Sequence, residues 1–175
     1  MVNDLHDKDD GPKKDRNEEN KKPQNKKMFT VFELDNEEYA IEIDMMNEII
    51  KDVNISNVPG SSKNVLGATN LRGEIIPVID LKKILGLEKT GEEVQNTIII
   101  HIDEKKWAAP VDKIKDIVSP NTDQLVDPSK ITNLDGRRLR WIIRLEKGRS
   151  VRVINAQKLL EEEVKDVDIE SEQKE

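Results

Sequence analysis

Residues 70–87 read NLRGEIIPVIDLKKILGL, and this stretch decides the fold. A strand from Val65 to Leu71 runs into Arg72-Gly73, where Gly73 suits a tight turn because glycine takes a positive φ at no steric cost. EIIPVIDL (74–81) then resumes β structure. Pro77 inside it points to an edge strand or a bulge, since proline has no N–H for the ladder. LKKILGL (81–87) predicts a short helical turn ended by Gly86.

The same short-strand pattern extends on both sides. MFTVFELD (28–35) places Phe29, Val31, Phe32 and Leu34 in a β-favouring run. Asp35-Asn36 turns the chain into EEYAIEI (37–43), where Tyr39, Ile41 and Ile43 alternate with Ala40 and Glu42. DMMNEII (44–50) is expected to form a short helix or helical turn that Asp44 could cap. Pro59-Gly60 and Ser61-Ser62 mark a loop, and residues 90–96 read as a polar linker. Beyond the linker, TIIIHI (97–102) is a β-branched strand. After a turn at 103–106, WAAPVDKIKDIVSP (107–120) reads as extended chain kinked at Pro110, and Asp127–Asp135 as a polar loop. Strands over Leu139–Leu145 and Ser150–Ile154 flank a turn at Glu146–Arg149, and AQKLLEEEV (156–164) closes as a short helix with Leu159 and Leu160 inward. Eight or more short strands without a strand–helix–strand repeat imply an all-β, closed or semi-closed architecture.

Composition bounds the rest. The chain has 175 residues, 35% hydrophobic and 37% charged, a balance that suggests a soluble core with solvated ends. Residues 1–27 carry +1 and residues 161–175 carry −6, which leaves −2 for the body out of a net −7. No large basic face is implied, so nucleic acid and anionic membrane are poor partners on charge. Residues 1–27 are expected to be a disordered extension and 164–175 an acidic tail. No secretory h-region opens the chain, and no apolar run reaches the roughly 18 residues of a membrane span. An intracellular, soluble protein is expected.

The inventory for catalysis is sparse. Cysteine is absent, which removes disulfides, thiolate metal sites and cysteine nucleophiles together. The two histidines are His6, in the N-terminal extension, and His101, read as an outward-facing strand residue; they give little basis for zinc. No phosphate loop, dinucleotide fingerprint or G-x-S-x-G elbow is present. Asp80, Asp103 and Asp112 read as turn or surface residues rather than an acid–base pair, and Asp80 lacks the acidic companions of a phosphoryl acceptor. No cofactor and no metal are expected, and a small β-barrel enzyme is the weakest alternative.

NLRGEIIPVIDLKKILGL resembles the hallmark of the CheW-like family, the coupling proteins of bacterial and archaeal chemotaxis. YAIEIDMMNEII (39–50) and NISNVPGSSKNVLGATNLRG (54–73) resemble the segments that lead into it. TIIIHIDEKKWAAPVDKIKDIV (97–118) resembles the second-lobe strand pair, and VRVINAQKLL (151–160) the closing strand and helix. The resemblance covers about residues 28–163. It implies two SH3-like five-stranded β-barrel lobes packed together, a first lobe at about 28–90, a second at about 96–150, and a closing strand and helix at about 150–163. It also implies a non-catalytic cytoplasmic adaptor, located at receptor arrays on the inner face of the membrane without inserting into it. Such an adaptor joins methyl-accepting chemotaxis receptors to the regulatory domain of the histidine kinase CheA. The alternative is a divergent CheW-like scaffold serving another two-component or signalling complex.

Several residues take expected roles from this resemblance and from their chemistry. Glu48, in the E-I-I segment, is expected to pair with Arg72 and pin the Arg72-Gly73 turn, as an architectural more than a binding contact. Gly73 is a backbone-permissive position. Val58, Pro59 and Val65 are candidates for the kinase-binding surface. Arg137, Arg138 and Arg140 are candidates for a second-lobe surface facing an acidic partner. Two departures from the family pattern bear on that lobe: Trp107-Ala108-Ala109-Pro110 stands where a glycine commonly precedes Val-Asp, and Asn155 stands near a common Asp.

Overall fold

Phe29–Leu34 (β1) and Glu37–Glu42 (β2) form the expected antiparallel hairpin. Its two turn residues, Asp35 and Asn36, both have positive φ (51° and 62°). Two consecutive left-handed residues match the twist of the strands, and Asp and Asn tolerate that region better than most L-residues. The structure, a computed structural model, describes residues 26–87, 96–131 and 137–163. The N-terminal extension up to residue 25, most of the 90–96 linker and the tail from 164 lie outside the described residues.

After one 3-10 turn at Ile43–Met45, Met46–Lys51 is a strand, β3. This corrects the helix expected over 44–50. Ile49 and Ile50 are β-branched and stiff at χ1, so pairing in a sheet wins over one turn of helix. Asp44 caps nothing; the turn is entered from Glu42, with no side-chain cap. Val65–Leu71 (β4) and Glu74–Ile79 (β5) flank the Arg72-Gly73 turn as expected. Leu81–Leu85 (α1) is capped by Asp80, whose carboxylate accepts from the Lys83 N–H at 3.0 Å, and ends on Gly86 at φ 73°. Beyond it come Asn96–Ile102 (β6), Lys105–Val111 (β7), Lys113–Val118 (β8) and Leu125–Val126 (β9). Leu139–Arg144 (β10), Ser150–Ile154 (β11) and the helix Ala156–Glu163 (α2) close the chain.

The strands assemble into two sheets, ordered β8-β1-β2-β11-β10-β9 and β3-β6-β7-β5-β4. The all-β class holds, but the two closed SH3-like barrels do not form. Each sheet is open: β8 and β9 are the outer strands of one, β3 and β4 of the other. Each sheet also draws strands from both sides of residues 88–95. Of the two alternatives expected at Pro77, the edge position does not hold, because β5 is an inner strand. The β4–β5 ladder does carry a bulge nearby, between Val65 and Gly67. The pairing of β5 with β7 is registered only at Val78↔Ala108, while β4 faces Pro77 with Ala68, so the missing N–H sits beside a minimal parallel contact.

The core explains why TIIIHI is apolar without alternation. Ile98 and Ile100 of β6 and Ala109 and Val111 of β7 pack between the sheets with Phe32, Tyr39, Ile41 and Leu159. Ile99 and Ala108 instead join Ile76, Val78, Ile50 and Leu71 on the opposite face of the five-stranded sheet. Phe29, Val31, Ala40, Ile143, Val151 and Val153 form the matching cluster of the other sheet. A strand buried on both faces reads as a continuous apolar run. Leu159 and Leu160 of α2 point inward as expected, both at most 3% exposed. They line a small apolar void of about 10 Å³ between the sheets, with Phe32, Ile41, Ile98 and Ile100.

Candidate functional site

At the β4–β5 turn Arg72 and Gly73 have φ of 54° and 91°. The Asn70 side-chain oxygen accepts from the Gly73 N–H at 2.8 Å and fixes the turn. A Cβ on Gly73 would meet nothing within 4 Å, so only its backbone conformation calls for glycine. Arg72 donates through Nη1 and Nη2 to Oε1 and Oε2 of Glu48, at 2.9 and 2.8 Å. The expected pair therefore forms, anchored on strand β3 rather than on a helix. The Arg72 side chain is 74% exposed and that of Glu48 21%, so the pair sits in solvent and contributes about 0–1 kcal/mol. Close by, Lys106 pairs with Glu74.

Of the candidate kinase-surface residues, Val58 is half-buried and Pro59 exposed. Val65 is half-buried and packs against the core between the sheets. The larger exposed apolar groups nearby escaped sequence reasoning: Ile55, Leu66 and Ile75, at 42%, 39% and 38%. Leu66 is exposed because β4 carries a bulge between Val65 and Gly67, which breaks the alternation. Ile55 lies in a loop that crosses β4, where Ser56 and Ala68 exchange two backbone hydrogen bonds of 2.8 and 2.9 Å. That crossing needs Gly67, since a Cβ there would stand 2.2 Å from the Ser56 carbonyl oxygen. A glycine inside a strand pattern was the one available signal.

Arg137 and Arg138 lie in the turn before β10, and Arg140 on that strand. Arg140 pairs with Glu42 at 3.1 Å. Arg137 is exposed and Arg138 half-buried, and both engage neighbours. More charge is organised around Arg149, which donates to Glu38 at 2.6 Å and to both oxygens of Asp116 at 3.0 and 2.9 Å. These bonds hold the Asp116 carboxyl below its ordinary pKa, against a smaller opposing effect of burial. Glu33 and Glu38 face each other in the β1–β2 register, a destabilising like-charge pair. Lys115 on Glu33 and Arg149 on Glu38 offset it.

The carboxylates weighed for chemistry are occupied structurally. Asp80 caps α1 and is 7% exposed, Asp103 holds a turn at φ 54°, and the Asp112 side chain is 4% exposed and bound to Lys82. Asp112 does sit at a bend between β7 and β8, but its side chain and Asp80 are turned inward rather than lying on the surface. His101 is half-buried on β6, with Nδ1 enclosed. Among the described residues no three His, Asp or Glu converge as a metal site, and no helix is long and apolar enough to cross a membrane.

The chain as a whole has relatives among known proteins. The CheW-like domain model matches residues 28–164. The chain belongs to the CheW-like family. The chemotaxis protein CheW of Bacillus subtilis is 30% identical over 137 residues, 76% of this chain and 86% of that protein. CheW of Thermotoga maritima is 28% identical over 131 residues, 75% and 85% of the two chains. The crystal structure of the scaffolding protein TtCheW from Thermoanaerobacter tengcongensis superimposes with a TM-score of 0.71 at 31% identity, covering 78% of this chain and 93% of that one. Family membership makes the chain a non-catalytic adaptor of chemotaxis signalling.

Proposed function

We propose that this adaptor couples chemoreceptors to the regulatory domain of the histidine kinase CheA, in the cytoplasm at membrane-associated receptor arrays. The observation that carries the kinase contact is a group of exposed apolar side chains on and beside the outer strand β4: Leu66 on the strand itself, Ile55 on the loop paired to it and Ile75 on neighbouring β5, with Pro59 and the half-buried Val58 and Val65 alongside. An outer strand bearing large apolar residues is a pairing and docking liability unless a partner covers it. Arg72 and Glu48 border this edge and set the geometry of the turn. Arg137, Arg138 and Arg140 are proposed as the second contact, toward an acidic partner surface.

A pull-down with a CheA regulatory domain tests the reading. Val65→Asp would place a charge against the core, so Leu66→Asp is the cleaner probe. Wild type binds and Leu66→Asp does not, with both folded by circular dichroism. Unchanged binding by Leu66→Asp would move the kinase surface elsewhere, and no binding by either protein would end the coupling proposal.

A further inference from the structure

The ε-ammonium of Lys82, in the first turn of α1, lies 3.0 Å from Asp35 Oδ1 and 2.7 Å from Asp112 Oδ1. The three side chains are 11%, 11% and 4% exposed. The Asp35 N–H also donates to Asp112 Oδ2 at 2.8 Å, and the Asp112 N–H to the Glu33 carbonyl at 3.1 Å. The topological position of each residue matters more than the pairing itself. Asp35 is the β1–β2 turn of the six-stranded sheet. Lys82 follows β5 of the five-stranded sheet. Asp112 is the single residue between β7 and β8, where the chain passes from one sheet to the other. The core between the sheets is apolar packing, which is strong but non-directional.

We propose that Lys82 is a positioning residue whose clasp on Asp35 and Asp112 fixes the relative orientation of the two sheets, and that its role is orientation rather than stability. Removing three charges from water is costly and good geometry only roughly repays it, so such a group adds little net stability over an apolar equivalent. What it adds is direction. The ammonium meets both carboxylates only when the turn, the helix start and the crossover stand in one arrangement, whereas apolar side chains can repack over several. For an adaptor whose proposed contacts lie on both sheets, orientation sets whether two partners are held in register; this last step rests on the coupling reading above.

The full chain contains no cysteine, so Lys105→Cys on β7 and Arg144→Cys on β10, both exposed, give a unique spin-label pair across the sheets. Distances are measured by pulsed electron resonance in the parent and in the neutral triple variant Asp35→Asn, Lys82→Met, Asp112→Asn. The expected result is a thermal midpoint within a few degrees of the parent and an inter-sheet distance distribution broader by roughly twofold. Asp35→Asn alone, which keeps the Lys82–Asp112 pair, broadens it less. An unchanged distribution in both variants overturns the proposal, and so does unfolding of the triple variant, which would make the clasp a stabilising element. In a reconstituted assembly the triple variant binds the CheA regulatory domain as wild type does but loses receptor control of the kinase. Retained receptor control overturns the functional step, while failure of wild type itself to bind refutes the coupling reading and leaves the distance result standing.

Discussion

Glu48 and Arg72 belong to opposite margins of the five-stranded sheet, one on β3 and the other at the end of β4, yet their side chains meet in a two-pronged pair of 2.8 and 2.9 Å. Three strands separate β3 from β4 in the hydrogen-bonded order, so the sheet must curl until its margins approach. Ile50 of β3 and Leu71 of β4 packing on one cluster with Ile76, Val78, Ile99 and Ala108 shows the same curl from inside. Side chains span the gap that backbone hydrogen bonds leave open.

Because that pair is largely solvated, Arg72→Ala should cost about 0–1 kcal/mol in urea unfolding, less at high salt. The effect on the turn should be larger than the effect on the fold. Amide exchange at Gly73 and in β3 should quicken in Arg72→Ala, and the charge-swapped double variant Glu48→Arg, Arg72→Glu should recover most of the protection. Equal exchange in all forms would mean that the pair holds nothing in place.

Gly67→Ala tests whether the crossing loop is built on the absence of a Cβ. The added carbon would stand 2.2 Å from the Ser56 carbonyl, and φ at Gly67 is 150°. The loop must lift, breaking the Ser56–Ala68 exchange, at an expected cost of about 1–3 kcal/mol. Chemical shifts at Ile55 and Ser56 should move while those in the six-stranded sheet stay. A variant with wild-type stability and shifts would show that the crossing tolerates a side chain.

Legibility followed local chemistry. The Asp35-Asn36 turn, the Gly86 stop and the β4–β5 turn were readable because each depends on a few adjacent residues, whereas Asp80, read as a turn or surface residue, proved to cap α1. The Glu48–Arg72 pair was reachable only because a family resemblance drew attention to both positions, as charge pattern alone does not join residues twenty-four apart. Openness of the sheets was not legible: whether β3 reaches β4 by hydrogen bonds or by side chains depends on curl and strand length, not on any motif. The exposure of Leu66 went unread for a related reason, since one bulge between Val65 and Gly67 changes which residues face out. The Lys82 clasp was invisible because its members are charged and distant in sequence, the pattern of solvated residues.

The Arg149 network makes an acid limb of stability. Asp116 has its pKa lowered chiefly by hydrogen bonds from Arg149. A carboxyl depressed in the folded state contributes stability that is present above its unfolded pKa of about 4 and is lost as pH falls through the lower folded value. Urea midpoints of the wild type should therefore drop on acidification below about pH 4, and Arg149→Met should show a shallower drop from a lower plateau. Identical acid limbs would assign the loss to other carboxyls.

Tyr39 supplies the opposite limb, and it is the only tyrosine in the chain, so its ionisation can be read alone by ultraviolet difference spectroscopy. Burial first, and then the adjacent Glu37 carboxylate, push its phenol up to about 12; the Arg152 guanidinium, 5.7 Å from the ring, opposes them weakly. The hydroxyl donates to Glu37 Oε2 at 3.1 Å, a bond that only the neutral phenol can make. The unfolded chain loses this proton near pH 10 and the folded one about two units later. Stability from this group is thus intact below pH 10 and declines as pH rises toward 12, by an amount on the order of 2–3 kcal/mol over the window. Glu37→Gln removes the charge but not the burial, so its tyrosinate transition should fall between the wild-type value and 10. Titration of wild type near 10 in a still-folded protein would show that the ring is not held as described.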